Sequence, residues 1–371
     1  MSTETQSESG ISGDDGLESA HEANRRIRRL LFGCAAVTVA TTVAIFLVLF
    51  DNAASYFFGA RVSEILFAGD AFERTVTFIE FFTGTRWAPD HSTPAHGVLP
   101  IVWGTLAITI GAGLVSIPIG TATALYLSEY ASTETRNRLK PILEVLAGIP
   151  TIVYGYFAVS FLTPVVVDGI ARHLVDPVGR GVHAVGTALP GSVEIRNAEV
   201  HFGDAVVAAG ESMIGITVGR YSMLGGILVV GVMTIPMVSS ISEDAMQAVP
   251  DELRNGAYAL GATKYQVSTR IVLPAAVSGI FASYILALSR AIGETMAVTL
   301  GAGFNANLTA NPFAEIMTMT AYLVSMARGT SAVGTVEYQS LFAVGLLLFL
   351  MTLTMNLLND RLKQRFQEVY R

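Results

Sequence analysis

The chain has 371 residues, of which 51% are hydrophobic and only 14% charged, and its mean hydropathy is +0.52. Soluble domains carry about 25% charged residues, so a protein this apolar cannot cover its own surface in water and the excess must face lipid. A formal net charge of −7 argues against a nucleic-acid partner, and a single cysteine, Cys34, makes neither an internal disulfide nor a zinc cage.

Residues 1–29 are polar, rich in Ser, Glu, Gly and Thr, and read as a disordered tail ending in Arg25, Arg26, Arg28 and Arg29. The uncharged run Leu30–Phe50 follows at once. At 1.5 Å per residue it is long enough to cross a bilayer core, and it reads as an uncleaved first span. Cys34 lies inside it as a small residue facing lipid or a neighbouring helix. Five further spans are expected at Val98–Leu127, Ile142–Val167, Leu224–Ile241, Ala275–Leu300 and Leu341–Leu358. Pro118, Pro150, Pro164 and Pro236 fall inside them. In a membrane the carbonyls freed by such prolines find partners in neighbouring helices or cavity water, which suits a bundle lining a path.

Lys and Arg set the expected orientation. With the N-terminus inside, the inner segments (the tail, Ser128–Lys140, Ser242–Pro274 and Asn359–Arg371) hold 14 of them. The longer outer segments (Asp51–Gly97, Asp168–Tyr221 and Gly301–Ser340) hold 8, and Arg290 lies within a span. That bias predicts both termini in the cytoplasm of a multi-pass cell-membrane protein. Within the outer segments, Val193–Phe202 alternates weakly, as a short strand or hairpin arm, and Gly301–Ser340 has room for a short interfacial helix.

The inner stretch 250–274 carries the most information. Glu252, Leu253, Ala257, Leu260 and Gly261 fit a short amphipathic helix that ends at the glycine, with Leu253, Ala257 and Leu260 on one apolar face. A second short helix leads to Ile271, Leu273 and Pro274, where the next span starts. Such a hinged pair suits a helix-in-groove contact with a cytoplasmic partner. Glycine at 261 is also what any helix end uses; the spacing to Ile271-x-Leu273-Pro274 and the flanking spans favour docking.

This loop resembles the EAA loop of type I ABC importer permeases. Ala257, Gly261, Ile271, Leu273 and Pro274 match at the family spacing, whereas Asn255 stands where the family has Glu and Gly256 where it has Ala. Leu99-Pro-Ile-Val-Trp-Gly-Thr-Leu, Leu127-Ser-Glu-Tyr, Leu146-Ala-Gly-Ile-Pro-Thr-Ile-Val-Tyr-Gly155 and Arg290-Ala-Ile-Gly-Glu-Thr-Met-Ala-Val298 are similar to the phosphate importer permeases. The Gly-Glu-Thr-Met-Ala-Val form, together with Phe81-Phe-Thr-Gly-Thr-Arg-Trp87, is similar to their PstC-type subunit. The resemblance covers roughly residues 25–360. It implies an all-α integral membrane bundle of about six transmembrane helices, of the MetI-like kind. The implied partition is a tail over 1–29, a first helix and outer segment over 30–97, a transmembrane domain over 98–358 and a basic tail over 359–371. Within that domain lie an outer insertion, 168–221, and the coupling loop, 242–274. The implied partners are a PstA-type second permease, a PstB-type ATPase dimer, an extracytoplasmic phosphate-binding protein, phosphate and the lipid bilayer. No cofactor or metal is implied.

Arg290 and Glu294 are charges inside a span. Such charges cost about 2.5–3.5 kcal/mol each on insertion scales and commonly face a cavity. Four residues apart, they share a helix face and can pair. One reading is a polar site on a translocation path, with Arg shaped for bidentate contact to an oxyanion; the other is a buried ion pair that fixes packing. The six histidines lie outside the spans, and the chain has no Gly-x-x-x-x-Gly-Lys-Ser/Thr loop, so ATP-derived energy must come from another chain. A secondary carrier would share the spans and buried charges but has no need of the hinged loop. A membrane enzyme would need a nucleophile–base or metal constellation at membrane depth that the sequence does not contain.

Overall fold

A computed structural model describes residues 13–58, 76–91, 93–188, 193–195, 198–200, 202–213, 218–329 and 335–368. Among these, five helices are long and apolar enough to cross a membrane, and a pair bent by 68° passes the same test when its two helices are taken together. In chain order they are α1 (Gly13–Phe58), α3 (Leu99–Tyr130), α5 (Thr151–Thr187), α7 (Met223–Gln247), the pair α9 (Lys264–Ala275) and α10 (Val277–Ile292), and α13 (Val336–Glu368). Between them lie α2 (Phe78–Thr83), the hairpin β1–β2 (Trp87–Ala88, Ala95–His96) and α4 (Thr133–Ala147). The hairpin β3–β4 (Val193–Ile195, Ala198–Val200), α6 (Phe202–Met213) and α8 (Asp251–Ala259) come next. Last are α11 (Met296–Ala302) and α12 (Met319–Arg328).

Five of the six expected spans each meet one helix of membrane-crossing length and Ala275–Leu300 meets the bent pair, with four differences. Residues 13–29, expected to be unstructured, belong to α1: the arginines are good helix formers, and the apolar run beyond them supplies a nucleus from which helix propagates. Residues 1–12 of that tail lie outside the described residues. The third span does not begin at Ile142. Gly148 caps α4, and Pro150 adopts an extended backbone (φ −56, ψ 135), so the crossing helix starts at Thr151. It then runs past Asp168, so the outer insertion opens as a continuation of α5. Finally, Ala275–Leu300 is not one helix: it bends by 68° between α9 and α10 and breaks again between Ile292 and Met296. The expected strand within 193–202 is present as the antiparallel β3–β4 pair, Val193 opposite Val200, and the short helix expected within Gly301–Ser340 is α12.

The centre of the bundle is the seam between α3 and α7. Ile108 and Ala112 meet Val229, Val230 and Met233, and Tyr154, Ala158, Leu162, Ala291, Ala297 and Val298 close around them. Lipid tails are as apolar as these side chains, so close backbone approach and satisfied polar groups hold such helices together. At Gly120 an added Cβ would lie 2.7 Å from Val238 Cβ, so only glycine lets α3 and α7 come this near. Thr105, Thr109 and Thr234 return their hydroxyls to the carbonyls of Ile101, Thr105 and Val230 at 2.7–2.9 Å. Ser242 joins Ser283 across α7 and α10 at 2.7 Å.

One end of the bundle is aromatic. Tyr56, Phe57, Phe81, Trp87 and Tyr322 pack edge to face, tying α1, α2, β1 and α12 together. Burial lowers the pKa of His96 in β2, so the ring stays neutral with Nδ1 2.8 Å from the Tyr56 hydroxyl. At the other end, Ala124, Met246, Val249, Val267, Val272, Ala276 and Ile280 form a smaller core where α3, α7, α9 and α10 converge. From Asn24 to Phe50 nearly all of α1 is exposed, including Leu30, Phe32, Val39 and Leu47, as a helix surrounded by lipid must be.

Candidate functional site

Two places carry the chemistry that the sequence singles out. The first is the break after α10. Arg290 lies in the last turn of that helix, where a cation complements the carbonyl end. Gly293 (φ −87, ψ −1) stops the helix, and α11 begins only at Met296. Helical register is therefore lost between Arg290 and Glu294, and no ion pair joins them among the described residues. Their expected pairing across one helical turn is corrected by this break.

Each charge has its own setting. Glu294 is buried, 8% exposed. Its Oε1 accepts from the Ala297 amide at 3.3 Å, and its carbonyl oxygen accepts from the Thr320 hydroxyl at 2.8 Å. Thr320 in turn lies 3.0 Å from the Thr318 hydroxyl. The carboxylate thus caps the start of α11, and the backbone carbonyl of the same residue ties the broken segment to α12. Arg290 is exposed, and with Leu286 and Gly293 it forms an exposed i, i+4, i+7 face of α10. Leu288, two residues before Arg290, lies against Gly113 midway along α3, so Arg290 sits near the middle level of that span. A guanidinium at this depth cannot face hydrocarbon cheaply; this face of α10 must look onto water or a polar partner.

The second place is the helix pair α8–α9. The end of α8 is a Schellman turn: Gly261 N–H donates to Tyr258 O at 2.9 Å and Ala262 N–H to Ala257 O at 3.1 Å, with Gly261 at φ +84. A capping box opens α9 directly after it. Thr263 Oγ1 accepts from Gln266 N at 3.3 Å and Gln266 Oε1 accepts from Thr263 N at 2.8 Å. The corner is therefore set by local hydrogen bonds alone. Leu253 is 50% and Leu260 90% exposed, and Glu252 is exposed beside them. Ala257, expected on the same outward face, instead packs against the core at this end of the bundle. Ile271 and Leu273 are half-buried and Pro274 is exposed, in the stretch that returns to α10. The sequence-selected residues thus include an outward pair, Leu253 and Leu260, and an anchoring pair, Ala257 and Leu273.

Residues 116–368 match the family described as "Binding-protein-dependent transport system inner membrane component". The chain belongs to this family. Relatives of this inner-membrane component extend the likeness almost end to end. A probable ABC transporter permease protein, YqgH of Bacillus subtilis, is 30% identical over 341 residues, 92% of this chain and 91% of the relative. The phosphate transport system permease protein PstC of Xylella fastidiosa is 31% identical over 275 residues, 74% and 75% of the two chains. A probable PstC of Methanocaldococcus jannaschii is 27% identical over 295 residues, 78% and 83%. Among solved structures, a bacterial ABC transporter that imports the acidic polysaccharide alginate overlays at a TM-score of 0.49 with 13% identity, covering 94% of this chain and 98% of that one. As a family member, the inner-membrane component is a permease of an ABC importer.

Sequence reasoning missed two groups. Thr318 and Thr320, which hold Glu294, lie in a loop–helix junction with no periodic signal. Arg254 lies inside the singled-out loop and Glu129 inside Leu127-Ser-Glu-Tyr, and the structure joins them through Arg254 Nη2 and Glu129 Oε1 at 3.2 Å. Their pairing spans 125 positions, beyond the reach of local pattern.

Proposed function

We propose that the chain is the PstC-type permease subunit of an ATP-driven phosphate importer. In this reading it pairs with a PstA-type permease, takes energy from a PstB-type ATPase dimer and receives phosphate from an extracytoplasmic binding protein. The observation that carries the proposal is Arg290: a fixed cation near mid-depth, exposed on one helix face and without an ion-pair partner among the described residues. A structural ion pair would be buried and closed. An open guanidinium beside a helix break offers a tetrahedral oxyanion two parallel donors on a path that α10 shares with the second permease. The PstC proteins among the relatives support phosphate as that oxyanion.

In the proposed cycle, ATP closes the ATPase dimer, the helix pair α8–α9 follows its grip on Leu253 and Leu260, and the path opens to the outside to receive the anion. Glu294, held on the α11 side, adds a negative charge that keeps binding weak enough for release. The test is uptake by vesicles carrying the complete complex, with phosphate and sulfate offered separately, with and without internal ATP. The reading requires ATP-dependent phosphate uptake in clear excess over sulfate. Equal uptake without ATP would replace it with a secondary carrier, and a preference for sulfate would replace the anion.

A further inference from the structure

At the hinge-bearing end of the bundle, α3 does not finish as an ordinary helix. Its last five residues, Tyr126–Tyr130, widen into a π-helical turn, and Ala131 N–H closes back on Tyr126 O at 2.8 Å. Single π turns recur where a helix must present side chains off its regular register. Here the displaced side chains are Glu129 and Tyr130, and each is held by one helix of the α8–α9 pair. From α8, the Arg254 guanidinium places Nε and Nη2 on Glu129 Oε1 at 3.3 and 3.2 Å. From α9, Lys264 Nζ stands 5.2 Å over the centroid of the Tyr130 ring.

Arg254 does more than pair with Glu129. Nη2 also donates to Met246 O at 2.7 Å, and Nη1 to Val249 O at 2.5 Å and to Asp251 Oδ1 at 3.1 Å. One planar group therefore closes the end of α7, starts α8 and holds the end of α3. The Arg254 side chain is 14% exposed and Glu129 5%, so water screens this contact little. By contrast, Leu253 and Leu260 of the same short helix project into solvent.

The connection continues upward. Thr121, one helical turn before the π turn, meets the Tyr284 hydroxyl of α10 at 2.8 Å, and Tyr284 lies on the helix that ends at Arg290. We propose that the π turn Tyr126–Tyr130 is the receiver of the coupling movement, with Arg254 as the positioning residue that makes α8 and the inner ends of α3 and α7 move as one piece. A push on Leu253 and Leu260 then shifts α3 and α7 instead of being absorbed by rotation of α8 about Gly261. The proposal rests on the importer reading and names how its loop is joined to its spans.

The test uses the complete complex in vesicles, with Cys34→Ser as background, and compares Glu129→Gln, Arg254→Gln and the double variant. The first readout is uptake per ATP hydrolysed. Each single variant should keep its ATPase subunits and its hydrolysis rate but lose about tenfold in this ratio, the size of one charge-assisted hydrogen bond. Because Arg254→Gln already removes the contact that Glu129→Gln cuts, the double variant should be no worse than Arg254→Gln alone. A merely structural role would lower the yield of complex and leave the ratio unchanged. Should Arg254→Gln fail to assemble, Glu129→Gln, which lies outside the docking helix, decides.

The second readout does not depend on transport: spin labels at Leu260→Cys and Tyr126→Cys report the distance from α8 to α3. Glu129→Gln should broaden that distribution. A ratio within twofold of wild type in the single variants, losses that multiply in the double variant, or an unchanged label distribution would each overturn the proposal. Lack of phosphate uptake by the wild-type complex would instead count against the anion assignment, and the label distances would still judge the strut.

Discussion

Arg290 and Glu294 look alike in the sequence, as two opposite charges four positions apart, but the structure gives them different work. Glu294 is spent on backbone: it accepts from Ala297 N–H and its carbonyl takes the Thr320 hydroxyl. Arg290 has no hydrogen bond or ion pair among the described residues, so its five donors stay available. Arg290→Ala should therefore assemble normally and lose phosphate uptake by about a hundredfold or more, the equivalent of a bidentate charged contact of about 3 kcal/mol. Arg290→Lys keeps the charge without the fork and should fall between the two. Uptake by Arg290→Ala at the wild-type rate, measured on vesicles matched for complex content, would take Arg290 off the path. Glu294→Gln retains an acceptor for Ala297 N–H, so its complex should remain stable and any change in uptake should report the lost charge alone.

At the scale of elements, the hinge between α8 and α9 depends on one backbone conformation. Gly261 sits at φ +84 with nothing within 4 Å of an added Cβ, so a substitution there meets backbone strain and no clash. Left-handed backbone costs an ordinary L-residue roughly 1–2 kcal/mol, less for Asn and more for a β-branched side chain. Uptake per assembled complex should therefore fall in the order Gly261→Asn, Gly261→Ala, Gly261→Val. Equal uptake in all three, at the wild-type level, would show that the corner does not transmit movement. This hinge was legible in the sequence because what marks it there is local: a helix-ending glycine and the apolar residues at helical spacing before it. The breaks at Gly148–Pro150 and Gly293–Thr295 were less so, because hydropathy runs straight through both and reports only that a stretch suits lipid. The π turn and the Arg254–Glu129 contact were illegible for a different reason. They depend on where the ends of α3 and α7 arrive, and packing rather than propensity decides that.

Across the whole molecule, charge and shape bear on the same question of direction. The aromatic end gathers α1's last turn, α2, both strands of the first hairpin and α12. The opposite end gathers the ion-paired, basic elements. Arg136 and Lys140 of α4 meet Glu243 at 2.7 and 3.5 Å, and Lys140 meets Asp244 at 2.8 Å, a hydrogen bond that raises the Lys140 pKa and keeps it cationic. The expected inner segments carry 14 of the 23 Lys and Arg, and the pair α8–α9 lies among them. Inserting a bundle the other way would carry those arginines and lysines across the membrane, which cellular insertion opposes. The orientation is read directly by an impermeant thiol reagent. Cys34 is first replaced by Ser; then Arg180→Cys, in the far end of α5, should label from outside intact cells, and Leu260→Cys only after the membrane is opened. The opposite pattern would place the hinged helices outside, where no ATPase could reach Leu253 and Leu260, and the importer mechanism would lose its motor.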